Sequence, residues 1–268
     1  MKKNKKKNII ITGIIIIFFI IIIIAVILFN GQKLNTNSTI VNQLYDYLGS
    51  SDLEICSGLN VYGEELVTYD DINNATRLCN AYVLLEENKM EEVILEKDED
   101  DEEICILDDF TYATDNYEED ECTLIKISEE NLNSAYKKLY GKEIEENEEF
   151  LINYNTICNF KNDTYYCGLL ETFTKTFGSE PHTFRAIKKA YKKGDEIIIY
   201  DYFIKIANYE CYNSYTGKTT NNNCTNSLPE DDNYDFVDYD FVKKYGTEYK
   251  HIFKKQNNYY YWVSSEPI

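Results

Sequence analysis

Glu196-Ile-Ile-Ile-Tyr-Asp-Tyr-Phe-Ile-Lys-Ile206 is the stretch on which the fold of this chain turns. Ile198, Tyr200, Tyr202, Ile204 and Ile206 recur at every second position. That period of two belongs to a strand, because alternate side chains there share one face. The stretch 183–191 is its expected antiparallel partner, turning at Lys193-Gly194-Asp195. Further on, 249–253 and 259–263 predict a second hairpin. A two-residue Asn257-Asn258 turn sets Phe253 opposite Trp262 and Ile252 opposite Val263. A short helix over 239–244 precedes it.

Toward the N-terminus the period changes. Ile40, Val41, Leu44, Tyr45 and Leu48 keep helical spacing until Gly49 stops them. A second helix is expected from an N-cap at Asp70 or Asp71 through Ala75, Leu78, Cys79, Tyr82 and Leu85. After a strand over 123–127, Ser128 caps a third helix with an apolar face of Leu132, Ala135, Tyr136 and Leu139, closed by Gly141. The expected class is therefore α+β, helices first and then a twisted antiparallel sheet. A curved sheet over a helix, of the cystatin or NTF2 kind, satisfies that order.

Eight cysteines punctuate these elements, and an even count in an oxidising compartment reads as disulfides. Around a turn at Asn162-Asp163, Lys161 faces Thr164, Phe160 faces Tyr165, Asn159 faces Tyr166, and Cys158 faces Cys167. The count places the two cysteines at a non-hydrogen-bonded pair, where Cα atoms sit about 4.5 Å apart, within reach of a disulfide. The same count from Gly217-Lys218 sets Cys211 opposite Cys224, although a disulfide-closed loop serves equally well. Cys105 and Cys122 bracket an acidic stretch between two short apolar runs, and Cys56 and Cys79 remain for each other. Zinc sites favour Cys-x2–4-Cys spacing with histidines to match. That spacing is missing, and the only histidines are His182 and His251, so no metal or other cofactor is expected.

The compartment follows from the first 29 residues. An unbroken apolar run from Ile9 to Phe29 reaches about 31 Å as a helix, the thickness of a bilayer's hydrocarbon core. Five lysines precede it, which favours a cytoplasmic N-terminus. A cleaved signal peptide has a shorter apolar stretch ending in small residues; this run exits through Leu28, Phe29 and Asn30. The expected layout is a cytoplasmic tail (1–8), a transmembrane anchor in the lipid bilayer (9–29), a polar spacer (30–40), a mostly helical part (41–145) and a sheet part (146–268), the last three outside the cell. Removing the five tail lysines from a formal charge of −20 leaves −25 on the outer region. Such a balance disfavours nucleic acid and anionic lipid as partners, since neither gains by releasing counterions.

Catalytic signatures are sparse. His182 and His251 stand in no recognisable motif, and a surface or sheet position is the expectation for each. Thr216-Gly217-Lys218-Thr219 imitates the end of a phosphate loop, but Tyr212 occupies the place of the required glycine. In the acidic run 96–103, Glu103 takes the position of the glycine of a calcium loop counted from Asp98. With 47 acidic residues, carboxylate pairs arise by chance, and spacing selects none. Tyr165, Tyr166, Tyr259, Tyr260, Tyr261 and Trp262 fall on expected strands; one face goes to the core, and the other could form a binding platform.

The ending Tyr245-Gly-Thr-Glu-Tyr-Lys-His-Ile-Phe-Lys-Lys-Gln-Asn-Asn-Tyr-Tyr-Tyr-Trp-Val-Ser-Ser-Glu-Pro-Ile268, with the single N-terminal anchor, resembles a group of uncharacterised single-pass membrane-anchored extracytoplasmic proteins of low-GC Gram-positive bacteria. That group has no established activity, so the resemblance carries no functional residue over. The expected role is a non-catalytic, disulfide-stapled outer module that binds a cell-wall or surface-protein partner. The alternative is a cell-envelope hydrolase using a carboxylate pair.

Overall fold

A computed structural model describes residues 31–49, 58–98, 104–114, 121–152, 155–170, 181–229, 234 and 236–268. The tail 1–8, the apolar run 9–29 and Cys56 fall outside them, as do residues 99–103 of the acidic run. Among the described residues no helix is long and apolar enough to cross a membrane.

The stretch read as a polar spacer enters the fold at once: Gln32–Leu34 is an edge strand, β1. Helix α1 (Thr39–Asp46) buries Val41 and Leu44, and Gly49 follows at φ 111°. A short strand, β2 (Val67–Thr68), leads to α2 (Asn74–Val83). This helix starts later than an Asp70 or Asp71 cap would place it, because Asp71 is already engaged. Its Oδ2 accepts from the Thr68 N–H at 2.8 Å and the Thr68 hydroxyl at 2.7 Å. Asn73 caps instead, accepting from the Thr76 N–H at 2.8 Å.

Strands then arrive earlier than a helix-first order allows. β3 (Glu91–Glu96), β4 (Ile104–Leu107), β5 (Phe110–Ala113) and β6 (Glu121–Ser128) all precede α3 (Glu129–Tyr140). Helix α3 has both its stops: Ser128 Oγ accepts from the Asn131 N–H at 3.3 Å, and Gly141 closes the helix at φ 70°. Glu129 and Glu130 in its first turn and Lys137 and Lys138 in its last complement the helix dipole. There follow β7 (Phe150–Leu151), β8 (Thr156–Lys161), β9 (Thr164–Leu169), β10 (His182–Lys193), β11 (Glu196–Ala207), β12 (Glu210–Tyr212), α4 (Asn222–Thr225), α5 (Tyr239–Tyr245), β13 (Thr247–Gln256) and β14 (Tyr259–Pro267).

Where one sheet was expected, the described strands form two, plus a separate hairpin. The large sheet has the order β1-β10-β11-β13-β14-β2, with β12 added to β11. The second has the order β3-β6-β9-β8-β7, and β4 pairs with β5 alone. Both sheets therefore draw strands from the two halves of the chain. Phe253 faces Trp262 across the Asn257-Asn258 turn, whereas Ile252 faces Ser264 because a bulge sets Val263 aside.

Strand β11 feeds two cores. Ile197, Ile199 and Phe203 enter the main one with Trp262, Tyr249, Phe253 and the α3 residues Leu132, Tyr136, Leu139 and Tyr140. The face carrying Ile198, Tyr200, Tyr202, Ile204 and Ile206, the more apolar one by sequence, is not the face that meets the main core. Ile204 and Ile206 instead join Ala186, Cys211, Cys224 and Val242 in a smaller cluster on the opposite side, while Ile198 and Tyr200 stay half-buried.

Three disulfides tie these elements. Cys158 faces Cys167 across the β8–β9 hairpin and is bonded to it, with Cα atoms 4.0 Å apart. Asn162 and Asp163 form the turn at φ 50° and 58°, the twist that two-residue hairpins require. Cys105 on β4 bonds Cys122 on β6, joining the separate hairpin to the second sheet. Cys211 bonds Cys224, but not across a hairpin turning at Gly217-Lys218. Cys224 sits in α4, whose start is capped by Asn221 Oδ1 accepting from the Cys224 N–H. Cys79 is disulfide-bonded as well.

Candidate functional site

The odd-numbered face of β11 carries Asp201 into the main core, where the chain assembles its densest polar network. Asp201, His251 and Ser265 each have no solvent exposure. His251 on β13 pairs with Ile199, two residues along β11 from Asp201, so it meets the carboxylate diagonally, and Ser265 lies beside His251 on β14. His251 Nε2 is 2.9 Å from Asp201 Oδ1, and His251 Nδ1 is 2.6 Å from Ser265 Oγ. Trp262 Nε1–H, which can only donate, gives its proton to Ser265 Oγ at 2.9 Å. The serine hydroxyl is then free to donate to Nδ1, and Nε2–H to donate to the carboxylate. The second carboxylate oxygen accepts from the Tyr62 hydroxyl at 2.5 Å and the Tyr45 hydroxyl at 2.9 Å.

Arg185 brings a cation to the same place. Its guanidinium stacks over the Tyr45 ring, 4.6 Å from the centroid, and donates to the backbone carbonyls of Tyr45 and Gly49. Burial works against the charge on Arg185, yet its neighbours Tyr62, Tyr45 and Asp201 hold its pKa above the usual guanidinium value. Burial, followed by the Asp201 charge, pushes the Tyr62 and Tyr45 hydroxyls well above the ordinary tyrosine range. Both stay protonated donors. The order Asp–His–Ser matches the parts of a nucleophilic triad, but all three side chains are sealed from solvent and no substrate reaches the serine. Their effect is to tie α1, the segment around Tyr62, and strands β10, β11, β13 and β14 into one unit.

The other residues singled out by sequence lie apart. His182 is exposed and packs on Tyr234, ring centroids 4.6 Å apart. The phosphate-loop lookalike holds a carboxylate of its own chain: the Thr219 N–H donates to Glu64 Oε1 at 3.0 Å, and hydrogen bonds from the Thr219 side chain and backbone lower the Glu64 pKa. Tyr165 and Trp262 are core residues, while Tyr166, Tyr259, Tyr260 and Tyr261 are partly exposed. Among the described residues no group of three or more His, Cys, Asp and Glu side chains could hold a metal ion.

An open cleft of about 670 Å³ lies where α2, β7 and β8 come together. Phe150, Leu151, Ile157 and Leu170 give it apolar walls, and Asn60, Asn73 and Thr76 supply amides and a hydroxyl. Leu151 is 51% exposed, unusual for a strand leucine that lines a concavity. The Asn60 side-chain carbonyl is buried without a hydrogen-bond partner. Glu149 is the one carboxylate among the described residues that line the cleft. No feature of the sequence announced this site: its lining comes from five separate places along the chain, none with a motif. Comparison with protein-family models, curated proteins and solved structures finds no match for the chain.

Proposed function

We propose that this chain is a membrane-anchored extracytoplasmic binding module, held in the bilayer by residues 9–29. It presents the cleft between α2 and the β7–β8 edge to a cell-wall or surface-protein partner. The observation that carries this reading is the make-up of the cleft: apolar walls, a few amide and hydroxyl groups, and a volume within the usual range for ligand sites. Exposed Leu151 is apolar surface that a partner would cover. The disulfides suit a location outside the cytoplasm.

The hydrolase alternative needs two carboxylates across a cleft, and here Glu149 has no second acid opposite it among the described lining residues. The Asp201–His251–Ser265 chain gives no help, since it is closed to substrate.

Photo-crosslinking of the full chain in intact cell envelopes tests the proposal. The native chain should capture a discrete partner, and Leu151→Asp, which alters an already exposed side chain, should lose it while retaining the native denaturation midpoint. Equal capture by both chains would remove the cleft from the account. Release of new reducing ends or amines from purified cell wall by the native chain, but not by Glu149→Gln, would favour the hydrolase.

A further inference from the structure

We propose that the end of the large sheet next to Gly31 docks on the anionic phospholipid headgroups of the membrane that holds residues 9–29; the inference rests on that anchor. Strand β1 runs away from this end, with Gln32 beside Lys192 and Leu34 beside Ala190. The described chain therefore begins at this end. Gly31 makes the exit tight: its φ is +77°, and a Cβ on it would lie 2.9 Å from the Lys192 carbonyl oxygen. Three residue steps separate Phe29 from Gln32, about 10 Å at full extension. That reach is close to the Debye length of about 8 Å at physiological ionic strength, so charges at this end feel the membrane surface.

Those charges are predominantly positive, lysines outnumbering carboxylates. Lys33, Lys192, Lys193, Lys254 and Lys255 are all exposed, and the sheet register collects them. Lys33 sits beside Tyr191, Glu196 lies between Lys193 and Lys254, and the Lys255 N–H donates to the Asp195 carbonyl at 2.7 Å. Asp195 and Glu196 are the only carboxylates in the three segments 31–34, 189–196 and 250–261. Further along the same strands Lys188 and Lys250 are neutralised by Glu248 at 2.5 Å and Glu266 at 2.6 Å; the five lysines at the end have no ion-pair partner among the described residues. Tyr191, Tyr259 and Tyr261 flank them, partly exposed, and tyrosine is a residue that settles at headgroup depth.

Net charge alone points the other way, because the outer region carries −25. Distribution reverses the conclusion at this one place. An anionic leaflet attracts a lysine cluster within a Debye length, while salt largely screens its repulsion of the acidic bulk beyond it, so the cluster both holds and orients the domain.

The test uses the full chain in nanodiscs of phosphatidylcholine alone and of phosphatidylcholine mixed with phosphatidylglycerol. Lysine acylation is read by mass spectrometry. In the anionic discs Lys33, Lys192, Lys193, Lys254 and Lys255 should react on the order of ten-fold more slowly than in neutral ones, while exposed Lys89 and Lys243 keep one rate. Amide exchange at the 194–195 and 257–258 turns should slow in parallel, and the slowing should vanish when the five lysines are changed to Gln. Equal rates in both discs would overturn the proposal. So would stronger protection by a soluble anionic wall polymer than by the anionic discs, which would make the polymer the occupant. Retention of the chain on floated vesicles after an alkaline wash reports on the anchor separately.

Discussion

Asp201 shows what one side chain can require of a fold. Its carboxylate accepts from Tyr45, Tyr62 and His251, and Arg185 supplies the nearby cation. Changing Asp201→Asn removes the charged acceptor shared by Tyr45, Tyr62 and His251 and sets an amide NH2 against one of those donors. The expected cost is about 3–5 kcal/mol, since hydrogen bonds to a charged group are worth about 1.5–3 kcal/mol each and more than one is weakened. Ser265→Ala should cost less, about 1–3 kcal/mol, because it strands only the Trp262 N–H and His251 Nδ1. Urea unfolding of both variants checks the order; a Ser265→Ala loss as large as that of Asp201→Asn would mean that the charge carries no special weight. None of this was legible in the sequence. An aspartate within an alternating strand argues for the opposite face as the buried one. The partners that reverse that choice come from positions 45, 62, 185, 251 and 265, which nothing local connects.

Hairpins are the elements that sequence specifies best, because their register is counted outward from a turn. Asn162-Asp163 and Asn257-Asn258 each close a two-residue turn, and the pairing of Cys158 with Cys167 follows by arithmetic. The β4–β5 hairpin turns equally tightly at Asp108-Asp109, with Asp108 at φ 56°; it lies inside the acidic stretch that Cys105 and Cys122 bracket, where its four-residue strands are too short for alternation to mark them. The second sheet was hidden for a different reason, since β3, β6 and β9 are joined only by pairing between distant segments. Disulfides should reflect this difference between local and distant structure. From loop-closure entropy alone, removing Cys158–Cys167, nine residues apart, is worth about 2.7 kcal/mol, and removing Cys105–Cys122, seventeen apart, about 3.2 kcal/mol. The first hairpin already has its turn and two neighbouring strands, so the measured gap between the double Cys→Ala variants should be wider than that calculation. Equal losses in denaturant midpoint would show that the tight turn contributes nothing once the bond is gone.

Taken whole, the molecule is a tyrosine-rich core inside an acidic surface, and its response to pH should follow the core. Burial raises the hydroxyl pKa of Tyr45, Tyr62, Tyr140 and Tyr249 above the free value near 10. Above about pH 10 the unfolded chain releases these protons and the folded one keeps them, so the unfolded state binds fewer protons and stability falls as pH rises. Below that value the tyrosine contribution is fully present and flat. Each such group steepens the decline by up to about 1.4 kcal/mol per pH unit. Phenolate absorbance and unfolding free energy measured together between about pH 8 and 11 should show ionisation coinciding with unfolding; tyrosines that ionise while the protein stays folded would count against the buried network. Val67 and Thr68 pair with Ser265 and Ser264, and Gln32–Leu34 waits for Ala190 to Lys192. Strand β1 finds its partner only after about 150 further residues have been made, and β2 only after nearly 200. A vectorially emerging chain must therefore travel with its leading edge unmatched, and losing the last few residues would reopen the sheet at β2, far back in the sequence.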